Sequence, residues 1–259
     1  MGQAADGAAL RRKDAGLMDS ETGSDTLLGG RVRVAQPADG YRVAVDAVLL
    51  AAAIDAAAGA AVLDLGCGVG SVGLCLAWRR PDLRITGLDR EPVFAAAARR
   101  NAAANGFGAR LSIVEADLRA SLPQRFDAVA MNPPYLKAGT ATVSAHPLKA
   151  AATAESEAKL ADWVAAARHA LKPGGSLTLI HRADRLDDVL AAVARSFGGI
   201  AILPIHPKRD RAAKRILVRA QLGSGEPLAI RPGLVLHEEN GAFTAEADSI
   251  LRDGAPITI

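Results

Sequence analysis

The sequence predicts an α/β fold, a doubly wound parallel sheet with helices on both faces, and three observations carry that prediction. Short, bulky apolar runs recur at 61–65, 83–89, 111–117, 126–131 and 176–181, separated by helical text or loops, as expected of parallel strands covered on both sides. Gly66, Gly68 and Gly70 follow the first run directly, so the chain turns tightly there and brings bare backbone to a helix start. The clearest helix spans 91–105, with Pro92 in its first turn and Gly106 just past its end, where a fixed φ and a left-handed cap are tolerated.

Taken in order, residues 1–24 lack any helical or strand period and read as a flexible tail whose cations cluster at Arg11, Arg12 and Lys13. Residues 25–259 read as a single domain. Its first part, 25–58, holds two alternating runs around Pro37, Ala38, Asp39 and Gly40, expected as a β-hairpin, and then an apolar helix over 46–58. The central part, 59–222, runs β-α-β-α-β and then two further strands, which implies right-handed crossovers. Helices are expected over 158–171 and 183–196, and an adjacent strand pair at 201–207 and 215–222 joined by a charged turn. The last part, 223–259, reads as a hairpin extension with Asn240 and Gly241 at one turn.

The chain has 259 residues, 50% hydrophobic and 23% charged, with a formal charge of +3, which excludes a disordered or fibrous protein. A chain of this size buries roughly three quarters of its unfolded surface and needs no staple. Cys67 and Cys75 are too few for a disulfide framework. No apolar run reaches the ~20 residues that cross a bilayer, and the first residues lack the apolar core of a secretory signal, so a cytoplasmic, reduced protein is expected. With aromatic residues at only 3%, Tyr135 in a polar loop stands out.

The glycine turn alone is ambiguous. Gly68 to Gly73 also satisfies the G-x-G-x-x-G pattern of dinucleotide folds, Asp89 at the end of the second strand suits the ribose of either kind of cofactor, and a purely structural turn is the plain alternative. Two features separate these readings: Asp64, two residues before the first glycine, and the segment Asn132, Pro133, Pro134 and Tyr135 after the fourth strand. Together with Asp89, with Asp117 after the third strand and with Leu171-Lys172-Pro173-Gly174-Gly175 before the fifth, they resemble the Rossmann-like class I methyltransferases. That resemblance implies S-adenosylmethionine as cofactor and S-adenosylhomocysteine as product. It implies cofactor contacts at Asp46, Asp64, Gly66, Gly68, Gly70, Asp89, Arg90, Asp117, Leu118 and Asn132, and a catalytic segment of Asn132, Pro133, Pro134 and Tyr135. The plain alternatives are helix-start carboxylates at Asp46 and Asp89 and a proline turn at Pro133.

An Asn-Pro-Pro-Tyr segment suits methylation of a planar amino group. An exocyclic nitrogen such as adenine N6 shares its lone pair with the ring, so a site must hold it in line with the methyl donor. The Asn132 carboxamide oxygen and a carbonyl of the Pro133–Pro134 pair can accept both amino protons, and the proline rings fix φ and so the aim of that carbonyl. The Tyr135 ring can stack on the base. No metal and no strong general base is implied.

A closer resemblance rests on Gln36 through Leu50 (QPADGYRVAVDAVLL), Asp89-Arg90-Glu91, the Asn-Pro-Pro-Tyr element and the late run Arg215-Ile216-Leu217-Val218. These are similar to the bacterial tRNA1(Val) adenine-N6 methyltransferases over about residues 26–259, which implies a tRNA substrate modified at the adenosine beside the anticodon. The chain departs from that family in its N-terminal tail and in an alanine-rich loop over 136–154. A polyanionic partner fits the turn 206–215, where Lys208, Arg209, Arg211, Lys214 and Arg215 stand against the single acid Asp210; a solvated turn is the alternative. Lys137 and His146 read as loop residues, His181 and His206 as structural, and Cys67 as a small filler. Glutamine-N5 methylation of a protein, guanine-N2 methylation of ribosomal RNA, a nicotinamide oxidoreductase and a silent cofactor-binding module stay open as other readings.

Overall fold

The computed structural model of this protein describes residues 22–37, 45–122, 124–135 and 159–259. Its elements are β1 (Thr22–Leu27), β2 (Val32–Pro37), α1 (Val45–Ala52), β3 (Ala61–Leu65), α2 (Ser71–Arg79), β4 (Arg84–Asp89), α3 (Pro92–Ala104), β5 (Leu111–Glu115) and β6 (Phe126–Met131). There follow α4 (Leu160–Ala170), β7 (Leu171–Arg182), a short turn of 3₁₀ helix (Ala183–Arg185), α5 (Leu186–Val193), β8 (Phe197–His206), β9 (Arg215–Leu222), β10 (Ala229–Ile230), β11 (Leu234–Val235) and α6 (Ala245–Asp253).

The main sheet has the order β10-β8-β9-β7-β6-β3-β4-β5, with β11 also beside β8. Strands β3 to β7 pair in parallel, and β9 lies antiparallel between β7 and β8. The period of two sorts the strands into two cores: Val62, Ile85 and Ala128 face α1, α2, α3 and α6, whereas Leu63, Val129 and Leu177 face α4 and α5. All five residues of β3 are buried, as an unbroken apolar run in a doubly covered sheet requires. After β3 the chain builds β4 and β5 on one side and β6 and β7 on the other. The crevice between β3 and β6 is therefore the topological switch point, where ligands of open α/β sheets bind beyond the strand C-termini.

Several elements differ from the sequence expectation. The hairpin pairs β1 with β2 and turns at Leu28, Gly29 and Gly30, all at positive φ; the turn expected at Pro37 to Gly40 falls mostly outside the described residues. Val32 and Val34 are fully buried while Arg31 and Arg33 are exposed, so the alternation that suggests a strand does describe β2. Helix α1 stops at Ala52 although the text to residue 58 is alanine-rich. The chain must there turn through Gly59, at φ 75°, to enter β3, and that tertiary demand overrides local propensity. The C-terminal segment bridges His237 to Phe243 around the turn at Asn240 and Gly241 and then forms α6, an element that a simple hairpin does not contain. The signals for α6 are local: the Thr244 hydroxyl accepts from the Ala247 N–H at 3.1 Å, Glu246 and Asp248 lie in the first turn, and Gly254 closes the helix at φ 67°. Among the described residues no helix is long and apolar enough to cross a membrane.

Candidate active site

Register places the chemistry at one edge. Leu65 lies opposite both Leu88 and Met131, so the glycine turn after β3, Asp89 ending β4 and Asn132 following β6 project from the same end of the sheet. The turn is held from below: the Gly66 and Cys67 N–H groups donate to the Leu88 carbonyl at 2.8 and 2.9 Å. Gly66, Gly68 and Gly70 have φ of 73°, 54° and 88°, the left-handed region that side chains avoid. They serve different ends. A Cβ on Gly66 would strike the Trp163 ring at 2.3 Å, whereas one on Gly68 would meet nothing within 4 Å, so the space over Gly68 is open to a ligand.

Two carboxylates organise this turn. Asp89 Oδ2 accepts from the Gly68 N–H at 2.8 Å and its Oδ1 from the Glu91 N–H at 2.9 Å, which leaves further lone pairs on both oxygens for a diol. Burial raises its pKa, against the pull of those two N–H groups. Asp64 is buried beneath the turn, its Oδ2 accepting from the Gly73 N–H in the first turn of α2 at 3.0 Å. Burial, opposed by that N–H and reinforced by the nearby Asp89 charge, pushes its pKa up to about 7. A Cβ on Gly73 would crowd Leu111 Cδ1 at 3.0 Å but meet Asp64 Oδ2 at an ordinary 3.5 Å, so the glycine makes room for β5. Cys67 packs over Gly87 and is buried, and its thiol is pushed up, first by burial and then by Asp64, which suits an inert filler.

The remaining cofactor candidates stand at the rim. Arg90 is exposed and pairs with Glu91 at 3.1 Å, and Leu118 is half-buried against the α4–α5 core. Asp117 accepts from the N–H and the guanidinium of Arg119, which holds its carboxyl low at about 2. A cofactor amino group would share that carboxylate with Arg119.

The Asn-Pro-Pro-Tyr segment is gripped at its last residue. Tyr135 Oη lies 2.7 Å from Asp46 Oδ2 and 2.6 Å from Asn132 Oδ1. Its carbonyl accepts from Arg185 Nη1 at 3.1 Å, Arg215 covers its ring at 4.8 Å, and the His181 ring meets it edge-on at 5.2 Å. His181 is fully buried, and burial followed by the nearby Arg185 charge pushes its pKa down to about 4, so the imidazole is neutral at pH 7.

Two residues make contacts that their sequence readings do not contain. Asp46 lies in the first turn of α1, and its carboxylate meets the Tyr135 hydroxyl and the Arg215 guanidinium, beside the Asn-Pro-Pro-Tyr segment. Arg215 donates from Nε to Asp46 Oδ2 at 2.9 Å and is half-buried, which ties this end of the basic turn to the Asn-Pro-Pro-Tyr segment. The rest of the basic turn lies at the active-site edge, because β8 ends there. Arg209, Arg211 and Lys214 are exposed, while half-buried Lys208 donates to the Glu239 carbonyl at 2.7 Å.

Sequence reasoning missed Asn101 and Asn105 on α3. Asn101 Oδ1 accepts from the Ala35 N–H, and its Nδ2 donates to the carbonyls of Ala35 and Val69. Asn105 pairs in the same way with the N–H and carbonyl of Arg33. The two carboxamides, one helical turn apart, thus mimic a neighbouring strand for β2 and tie the hairpin to the glycine turn. Trp163 and Arg185 were also missed. Nothing local marks them, since α4 and α5 bring them in only by packing on the sheet.

The open backbone over Gly68, the lone pairs left on Asp89 and the buried Asp64, which pairs with no cation among the described residues, fit a ribose-bearing, positively charged cofactor. Comparison with known proteins accords with this. The family model described as "Methyltransferase small domain" matches residues 42–204. A Porphyromonas gingivalis protein named tRNA1(Val) (adenine(37)-N6)-methyltransferase is 36% identical over 198 residues, covering 72% of this chain and 77% of its own. A protein of the same name from Aeromonas hydrophila is 28% identical over 205 residues, covering 78% and 85%. Among solved structures, one titled a predicted O-methyltransferase from Agrobacterium tumefaciens superposes with a TM-score of 0.69 at 30% identity, covering 83% of this chain and 99% of its own. With this fold, this turn and these relatives, the chain belongs to the methyltransferase small domain family and is a class I S-adenosylmethionine-dependent methyltransferase.

Proposed function

We propose that this enzyme methylates the N6 amino group of an adenine in tRNA, at adenine 37, the position that its relatives' name specifies. The observation that carries this reading is the placement of Asn132, Pro133, Pro134 and Tyr135 at the end of β6, next to the glycine turn across the β3–β6 crevice. When bound, S-adenosylmethionine supplies a methyl carbon activated by a sulfonium. The chain's own part is to hold the acceptor. The Asn132 carboxamide oxygen and a carbonyl of the Pro133–Pro134 pair accept hydrogen bonds from the two amino N–H groups, drawing the nitrogen lone pair out of the ring and toward the methyl group. As the N–C bond forms and the C–S bond breaks, the nitrogen gains positive charge, which those two oxygens stabilise before it sheds a proton to water. Asp64 and Asp89 bind the cofactor, and the exposed cations of the 208–214 turn receive tRNA phosphates. Such a substrate places the enzyme in the cytoplasm.

The test is transfer of a labelled methyl group from S-adenosylmethionine to total tRNA, with the nucleosides identified by mass spectrometry. N6-methyladenosine supports the reading; label on an oxygen, on guanine N2 or on protein glutamine overturns it. Asn132→Ala should lower kcat by roughly 100-fold or more, the scale of losing one aligned transition-state hydrogen bond, while S-adenosylhomocysteine affinity holds within a few fold.

A further inference from the structure

Tyr135 has one phenolic proton, and among the described residues its hydroxyl faces two oxygen acceptors, Asp46 Oδ2 at 2.7 Å and Asn132 Oδ1 at 2.6 Å. Charge decides between them, because a hydrogen bond to a carboxylate is about twice as strong as one to a neutral amide oxygen. Arg215 reinforces the choice: its Nε fixes Asp46 Oδ2 at 2.9 Å while its guanidinium lies over the Tyr135 ring, so carboxylate and phenol are held together from one side. With the proton committed to Asp46, the phenol presents only lone pairs to Asn132. Two oxygens without a proton between them repel at 2.6 Å. A half-turn of the Asn132 carboxamide puts its nitrogen there as a donor and swings its oxygen to the opposite side, with no change of shape.

We propose that Asp46, fixed by Arg215, sets the hydrogen-bond polarity of Tyr135 and thereby turns the Asn132 carboxamide so that its oxygen faces the amine to be methylated. This rests on the reading of Asn132 given under Proposed function. In the reverse orientation the amide would present N–H groups to an amino group that must donate, and the substrate protons would lose their acceptor. Asp46 and Arg215 are thus positioning residues, acting through Tyr135.

The test is a double-variant cycle on the full chain, read as kcat and KM with tRNA and as S-adenosylhomocysteine affinity. Asp46→Ala removes the carboxylate acceptor, which sends the phenolic proton to Asn132 Oδ1 and fixes the amide the wrong way. Its kcat should fall about 100-fold, with KM and cofactor affinity within about threefold. Tyr135→Phe removes both proton and lone pairs, leaves the amide free to choose, and should cost only about tenfold. Asp46→Ala combined with Tyr135→Phe should then turn over faster than Asp46→Ala alone, returning to the Tyr135→Phe level. A purely structural role for Asp46 predicts the opposite, losses that multiply, and a double variant no faster than Asp46→Ala overturns the proposal. Should Asp46→Ala fail to fold, Arg215→Gln serves the same cycle: it must lower kcat in the wild-type background and leave it unchanged beside Tyr135→Phe, and equal losses in both backgrounds overturn the proposal. Wild-type enzyme that transfers no methyl group to adenine N6 overturns the functional reading and this inference with it, whereas active wild type without suppression overturns this inference alone.

Discussion

Burial at a single residue, Asp64, brings a carboxyl beneath the glycine turn into the neutral pH range. Its carboxyl titrates at about 7 in the free protein instead of near 4, chiefly because it is buried. The raised value means that its contribution to stability is present at low pH and is lost as pH rises from about 4 through 7. A cofactor carrying positive charge favours the ionised form, so binding below pH 7 expels a proton. S-adenosylmethionine affinity should therefore rise between about pH 5.5 and 7, by up to tenfold per pH unit, and then level off. Asp64→Asn should flatten that profile, and titration calorimetry at several pH values measures both; a wild-type affinity independent of pH would detach Asp64 from the cofactor. At this scale much of the site was legible. Asp64, Gly66, Gly68, Gly70, Asp89 and Asn132 are tied by local backbone rules to the strand ends they follow. Asp46 and Arg215 were not, because their contacts reach 89 and 169 residues along the chain.

The element that makes the glycine turn rigid is α3, through the side of it that faces the hairpin. Asn101, 2% exposed, satisfies the N–H and carbonyl of Ala35 on β2 and the carbonyl of Val69 in the turn. Asn101→Ala leaves the buried Val69 carbonyl and two groups of exposed Ala35 unpaired and should cost about 1–2 kcal/mol, most of it from the buried carbonyl, because water can reach Ala35. Chemical denaturation measures it, and a loss below about 0.5 kcal/mol would show that β2 holds its place without the helix. Strands β3, β4 and β6 and helix α3 were legible in the sequence because burial on both faces, a glycine turn and a proline start are each written locally. The end of α1 was not, since its alanine-rich continuation is helical by propensity and only the approach of β3 stops it. Helix α6 carried its capping signals in plain text and was obscured by the neighbouring Asn240–Gly241 turn.

Across the whole molecule, the antiparallel insertion of β9 between β7 and β8 decides where charge accumulates. It returns the chain at the C-terminal edge of the sheet, so the turn carrying Lys208, Arg209, Arg211 and Lys214 stands beside the Asn-Pro-Pro-Tyr segment. If tRNA phosphates bind there, affinity should fall steeply with salt. Replacing Arg209, Arg211 and Lys214 by alanine should reduce the slope of log K against log salt by up to about three, roughly one for each phosphate that is no longer neutralised. Cofactor affinity should stay as it was, and fluorescence titration of labelled tRNA reads the slope; an unchanged slope would return the turn to the solvent. The doubly wound fold, the glycine turn after β3 and the placing of the Asn-Pro-Pro-Tyr segment after β6 follow from the amino-acid order alone, since each depends on residues within one strand and the loop that follows it. Long-range packing, in contrast, is what sets Arg215 against Asp46 and Tyr135, because the pairing of β9 with β7, and no local rule, fixes which strand end it faces.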